Sequence, residues 1–238
     1  MPAPVKRVCF LVIGLCGAAM MAPVAAQVAP SAQQSAQYTG LLAAAYSGDL
    51  VSLKALLAGR PALEVRDAQQ RTPLHLATYA RRLEAMRLLV AAGADLNALD
   101  YQRYDPVTIA AVANDEESLA LLLEAGASAR NVTSPYDGTA LIAAAHLGHV
   151  GVVKRLIAAG APLDHVNNLH WTALIEAVVL GDGGRKHTEI VRLLLVAGAS
   201  AKLGDRDGNT PLMLARARGY REMTALLAAA KDGKSSGP

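Results

Sequence analysis

Aromatic side chains are scarce in this 238-residue chain, where Phe10 is the single Phe and Trp171 the single Trp. An aromatic content of 4% argues against a sandwich or barrel, which rests on alternating β-branched and aromatic residues. Cysteine is nearly absent too. Cys9 and Cys16 are the only two, so a disulfide scaffold is ruled out. Neither sign of charge prevails: 23 Lys and Arg face 20 Asp and Glu, a net +3. That excess is too small to imply a nucleic-acid partner. The chain is instead rich in aliphatic residues. Hydrophobic residues make up 53% of it, enough for a core over most of the length. Ala and Leu dominate, and both favour helices.

The one long apolar run lies at the N-terminus. Lys6 and Arg7 precede an uncharged stretch from Val8 to about Val24, and Val24-Ala25-Ala26 follows with small residues. Basic start, apolar middle and small-residue end predict a secretory signal peptide over 1–26, cleaved between Ala26 and Gln27. The competing reading is a retained membrane anchor, because Val8–Ala26 is 19 residues and just reaches spanning length. Gly14, Gly17 and Pro23 weaken such a helix, and the cleavage site favours removal. Both cysteines fall in the removed segment, which suits an oxidising compartment. The expected location is periplasmic or secreted, without membrane contact after cleavage. Residues 27–37, QVAPSAQQSAQ, are polar and low in complexity and predict a flexible leader. Residues 232–238 read as a disordered tail.

Everything between repeats itself. Thr72-Pro73-Leu74-His75-Leu76-Ala77 returns as Thr210-Pro211-Leu212-Met213-Leu214-Ala215, with weaker copies from Thr39, Asp105, Thr139 and Thr172. Successive spacings are 33, 33, 34, 33 and 38 residues, a fixed period to be settled before anything else is read. Each unit continues with an Ala-rich stretch, a turn at Gly48, Gly148, Gly181 or Gly219, and an apolar run such as Leu121-Leu122-Leu123. Gly-Ala closes four units, at Gly93, Gly126, Gly160 and Gly198.

These motifs, recurring in register from about Tyr38 to Lys231, resemble the ankyrin repeat family. The resemblance implies an all-α solenoid of six helix-turn-helix repeats over 38–231, with units starting near 39, 72, 105, 139, 172 and 210 and a hairpin-like finger between neighbours. The residues agree with that. Pro73 and Pro211 fit the first helical position with Thr as N-cap. Ala77, Ala111, Ala144 and Ala177 are small where inner helices must approach closely. No unit can bury its own apolar face, so the array is stable only as a stack. Arg81 and Asn114 stand where the turn Gly is expected, and unit three opens with Asp105-Pro106-Val107-Thr108. A less regular middle region is therefore expected. Unit five carries about five extra residues, Asp182–Lys186, which predict a flexible loop at the helix ends away from the fingers, with the outer helix resuming at His187.

No catalytic or metal constellation emerges. By the resemblance His75, His149 and His187 serve hydrogen bonds within and between repeats, and His146, His165 and His170 lack the close spacing of a zinc site. Gly181-Asp182-Gly183-Gly184 lacks the Gly-Lys-Ser/Thr of a phosphate loop, and Asp205–Asn209 lacks the closing Glu of a calcium loop. Asn131-Val132-Thr133 is a glycosylation sequon of a kind common by chance. No cofactor is expected. The resemblance implies a non-enzymatic module that binds a protein partner, as a monomer, through fingers and inner-helix surface. The alternatives are a hydrolase with its site on an irregular loop, and a tethered scaffold if the signal segment is retained. Aligning the units places Tyr101, Gln102 and Tyr104 on one finger, Tyr136 on the next, and Asn168, His170 and Trp171 on the third. Tyr79 and His146, near inner-helix ends, extend this candidate partner surface.

Overall fold

Five of the six units open with a side chain that closes the start of a helix; Thr39 of the first makes no such bond. Thr72, Thr139, Thr172 and Thr210 accept a hydrogen bond on Oγ1 from the backbone N–H three residues on, and Asp105 does the same with its carboxylate. Pro73, Pro106 and Pro211 occupy the first helical turn, where a missing N–H costs nothing. The structure, a computed structural model, describes residues 29–231. The expected signal peptide and the expected disordered tail lie outside the described residues.

The described residues form thirteen helices, with a single isolated bridge, Thr133 to Gly138, as strand-like pairing. A short α1 (Ala32–Ser35) precedes six helix pairs. The first three pairs are α2 (Gly40–Ser47) with α3 (Leu50–Ala58), α4 (Pro73–Tyr79) with α5 (Leu83–Ala92), and α6 (Pro106–Val112) with α7 (Glu116–Glu124). The last three are α8 (Ala140–Leu147) with α9 (Val150–Ala158), α10 (Ala173–Val179) with α11 (Arg185–Val196), and α12 (Pro211–Ala217) with α13 (Arg221–Lys231). The first helix of each pair packs on the first of the next, and the second on the second. This is the expected solenoid, with an inner and an outer layer.

The core is a line rather than a ball. Ala45, Ala77, Ala111, Ala144, Ala177 and Ala215, one per inner helix, are wholly buried. Leu53, Met86, Leu119, Val153, Val191 and Met223, one per outer helix, are buried just as fully. Each such Leu, Val or Met side chain contributes roughly 1.5–3 kcal/mol, and it packs against both its own inner helix and the outer helix of the adjoining unit.

Carbonyls at the C-terminal ends of inner helices have no partner within the helix. At four of the five junctions the next unit donates to one of these, or to a carbonyl in the turn that follows. Arg82 Nε donates to Tyr46 O at 3.2 Å, His149 Nδ1 to Ala111 O at 2.9 Å, His187 Nε2 to His146 O at 3.0 Å, and Tyr220 O–H to Gly181 O at 3.0 Å. The expectation of an irregular middle is corrected here. Arg81 and Asn114 take the left-handed backbone of the missing turn glycines, at φ 52° and 51°, and α4 to α7 remain complete. A positive φ costs a side-chain-bearing residue roughly 1–2 kcal/mol, and the strain stays in the turn.

Two further expectations change. The leader is ordered where described: Pro30 is buried, and Ser31 and Gln34 close α1 with reciprocal hydrogen bonds. Gln34 Oε1 also accepts from Arg71 at 3.4 Å. The unit-five insertion is not a free loop, because α11 begins at Arg185 and absorbs its end. Asp182 Oδ1 accepts from Gly184 N–H at 2.8 Å and lies 3.2 Å from His187 Nδ1. Gly183, at φ +72°, presses so close to Tyr220 that a Cβ there would sit 2.5 Å from the ring. Gly208 has a similar φ of +78° but open space around it. Gly208→Ala should therefore cost about 1 kcal/mol from backbone strain alone. Gly183→Ala should cost about 2 kcal/mol or more once the ring is displaced, read as the difference in urea-unfolding free energy.

Candidate functional site

The fingers are five short turns at 67–71, 100–104, 134–138, 167–171 and 205–209. In four of them the first residue is Asp67, Asp100, Asn167 or Asp205, whose Oδ1 accepts from the N–H groups two and four residues on. Ser134 Oγ does the same in the third finger, to Tyr136 and Gly138. Short oxygen-bearing side chains are what such turns require. The fourth residue is left-handed in every finger: Gln70, Arg103, Asp137, His170 and Gly208 have φ of 59°, 65°, 52°, 62° and 78°.

Neighbouring fingers are then joined through their backbones. Tyr101 N–H donates to Gln69 O at 2.9 Å, Ser134 N–H to Arg103 O at 3.1 Å, and Asn168 N–H to Tyr136 O at 3.0 Å. Arg103 also pairs with Asp137 across the gap at 2.6 Å. The tips are therefore held in a row.

This geometry separates the candidate residues by position. Second positions point outward: Ala68, Tyr101, Pro135, Asn168 and Arg206 are all exposed. Tyr101 stands out at 74%, and His170 is exposed as well. Fifth positions turn back toward the array. Tyr104, expected at an exposed tip, is 4% exposed, and its carbonyl takes a hydrogen bond from His75 Nε2 at 3.0 Å. Trp171 holds the same place in its finger and is half-buried. Both belong to the packing of the row rather than to its tips. Gln102, Tyr136 and Tyr79 are half-buried, and the Arg71 guanidinium lies 5.9 Å over the Tyr79 ring.

His146 is also half-buried, with Nδ1 3.3 Å from Glu176 Oε2. Glu176 escaped the sequence reading. It is the one charge at a position filled elsewhere by Ala43, Leu76, Ile109, Ala143 and Leu214, four residues past each unit's opening. It is 4% exposed; Asn167 Nδ2 donates to Oε1 at 3.1 Å, while Oε2 has no hydrogen bond.

A second group missed in the sequence gathers at the first two fingers. Gln34, Gln69, Arg71, Asp100, Tyr101 and Gln102 line a cleft of about 240 Å³. Arg71 and Asp100 are buried at 2% and 8% exposure. Asp67 accepts from Arg71 Nε at 2.9 Å and from Tyr38 O–H at 2.8 Å. Burial works to raise the Asp67 carboxyl, but these bonds and the Arg71 charge outweigh it and hold it below the usual range. Asp100 moves the other way. Burial lifts its carboxyl above the usual range despite the N–H groups of Tyr104 and Gln102.

The remaining candidates are structural. His75 is wholly buried, with Nδ1 2.8 Å from Thr72 Oγ1, and His165 Nε2 reaches Asp137 O at 2.6 Å. The sequon amide of Asn131 is engaged by Asp105 Oδ2 at 2.8 Å and Asn97 Oδ1 at 3.0 Å. Ser118 Oγ bonds Asp115 Oδ2 at 2.7 Å as part of a helix cap. Among the described residues no three His, Cys, Asp or Glu side chains are placed to hold a metal, and no helix is long and apolar enough to cross a membrane.

Stacked helix pairs with a row of projecting turns define a repeat solenoid of the kind that presents an extended binding surface. The chain belongs to the ankyrin repeat family: the model described as ankyrin repeats (3 copies) matches residues 15–100, 41–133 and 107–195. An ankyrin repeat domain from Acinetobacter baumannii AYE is 44% identical, with a TM-score of 0.78 over 80% of this chain and 97% of that one. The human ASB11 ankyrin repeat domain is 25% identical, with a TM-score of 0.66 over 81% and 84%. The ankyrin repeat protein YahD of Escherichia coli (strain K12) is 46% identical over 101 residues, 42% of this chain and half of YahD. Such repeats generally mediate protein–protein interaction.

Two outcomes follow from the buried groups. Burial pushes His75 down to about 4, against about 6.5 in an unfolded chain. Between those values the unfolded state binds the proton more readily, so stability from this residue is complete above about pH 6.5 and is lost as pH falls toward 4. The loss is up to about 3 kcal/mol, and urea unfolding from pH 7 to 4.5 should show a shallower slope in His75→Gln. At Glu176 the carboxylate is buried with Oε2 lacking a hydrogen bond and only the half-buried His146 Nδ1 3.3 Å away, so a neutral amide removes an incompletely compensated charge. Glu176→Gln should raise unfolding free energy at pH 7 by about 1 kcal/mol.

Proposed function

We propose that this protein is a non-enzymatic binding module, exported to the periplasm or the exterior, that grips a protein partner with its finger tips and the adjoining inner-helix surface. The observation that carries this reading is Tyr101. It is a large aromatic side chain at 74% exposure on a backbone already fixed by the Gln69 hydrogen bond. An exposed Tyr on a rigid support gives contact area at small entropy cost, which is why Tyr anchors protein interfaces. Asn168 and His170 continue the exposed row, and the family's general role in protein interaction supports the same surface. Export rests on the signal-like sequence of residues 1–26, and N-terminal sequencing of the exported protein should start at Gln27.

The mature protein, used as bait in the exported fraction, supplies the partner for a binding assay. Tyr101→Ala should then weaken that complex by about tenfold or more. Arg87→Ala and Arg192→Ala, whose side chains pair with Glu84 and Glu189 on outer helices, should leave it unchanged. Tyr104→Ala should instead lower the melting temperature, because it removes a buried side chain. Full binding by a folded triple variant at Tyr101, Asn168 and His170 would place the site elsewhere.

A further inference from the structure

The cleft beside Tyr101 has a definite chemistry. Its 240 Å³ is below the ~300–1,000 Å³ of pockets that hold whole small molecules, and suits one long side chain. The charged groups at its floor are Asp100 and Arg71, with Asp67 behind Arg71. Two carboxylates thus accompany one guanidinium at this end of the row. Of the other cations on these fingers, Arg66 keeps its charge and Arg103 is paired. Arg66 donates to Gln70 O and Leu99 O, and Arg103 pairs with Asp137. The walls are the exposed Tyr101 and the side chains of Gln34, Gln69 and Gln102, whose amide oxygens can accept N–H donors.

We propose that this cleft is the anchor for a Lys or Arg side chain presented by the protein partner, with Asp100 as its counter-charge and Tyr101 as its aromatic wall. Asp100 is a carboxylate taken out of water at 8% exposure. Its Oδ1 is occupied by the Gln102 and Tyr104 N–H groups, and burial still disfavours its charged form. An arriving cation compensates that burial. Beside it, the face of Tyr101 attracts a cation through the ring quadrupole. No other finger combines these features. The second positions elsewhere are Ala68, Pro135, Asn168 and Arg206, and Asp205, the counterpart of Asp100, is only half-buried.

This assignment rests on the finger surface being the partner site, yet its test needs no partner. The mature chain is titrated with N-acetyl-arginine amide and N-acetyl-lysine amide, followed by the backbone amide resonances of Gln69, Tyr101 and Gln102. N-acetyl-citrulline amide serves as the uncharged isostere of the arginine probe. Both cations should give saturable shifts that weaken with added salt, and the citrulline probe should bind at least about tenfold more weakly. Asp100→Asn should abolish the discrimination while the protein stays folded, since Asn167 makes the same two turn bonds in its own finger. Asp205→Asn should leave it intact. Equal binding of citrulline and arginine, no saturable shift with either cation, or unchanged binding in Asp100→Asn would each overturn the assignment. If the cations bind but Tyr101→Ala leaves the protein complex untouched, the partner surface is what has been misplaced.

Discussion

The distance at which one inner helix can approach the next governs this molecule. Every inner helix buries at least one alanine completely, from Ala45 to Ala215, between backbones that a larger side chain would hold apart. Close approach lets each outer helix cover the seam behind it, and it sets the pitch at which whole units follow one another. A core built this way has no centre. Stability is the sum of unit and interface contributions along a line, so the chain needs both ends finished and each junction sound. The side chains that donate across the junctions, from Arg82, His149, His187 and Tyr220, bond carbonyls at or just past the inner-helix ends. The extra residues of unit five do not disturb this. His187 still reaches back to the preceding unit, through Nε2 to His146 O, and Tyr220 of the next unit closes over the added loop.

The same pitch brings the fingers close enough to share backbone hydrogen bonds. Each turn is closed internally by its first side chain, at Asp67, Asp100, Ser134, Asn167 or Asp205, and the first four are then tied to one another through backbone bonds at the tip, the fifth through the Arg206 side chain to Asn168 O. A turn built that way has outward and inward positions independent of residue type. Tyr101 therefore faces water, whereas Tyr104, three residues on, is core. The left-handed fourth residue costs local strain at Gln70, Arg103 and His170, and the cross-finger bonds are in place to oppose it.

Buried charge is unevenly distributed along this regular frame. Asp100 at the second finger and Glu176 on α10 are both acids at under 10% exposure, while the matching positions of other units are uncharged or, at Asp67 and Asp205, less buried. A uniform array would carry neither, since an incompletely paired carboxylate in low dielectric destabilises the fold. They mark where the inner-helix and finger side of the array departs from what stacking alone demands.

Most of the architecture was legible in the chain itself. The 33-residue period, the Thr-Pro helix starts and the closing Gly-Ala pairs state local preferences of backbone and cap, which each segment expresses with little help. Arg81 and Asn114 misled as breaks in the pattern, because a left-handed turn tolerates a side chain when the helices around it are already fixed. Residues 31–37 misled as a free leader, because their polar composition hides a helix cap and the reach of Gln34 to Arg71. What the tertiary structure alone decided was exposure. Whether an aromatic in a finger faces water or core depends on which side of a five-residue turn it falls, and on the neighbouring finger that covers it. Likewise the cleft joins Gln34, Arg71 and Asp100 from three separate stretches of chain, and only the folded stack brings those charges and that ring within reach of a single ligand.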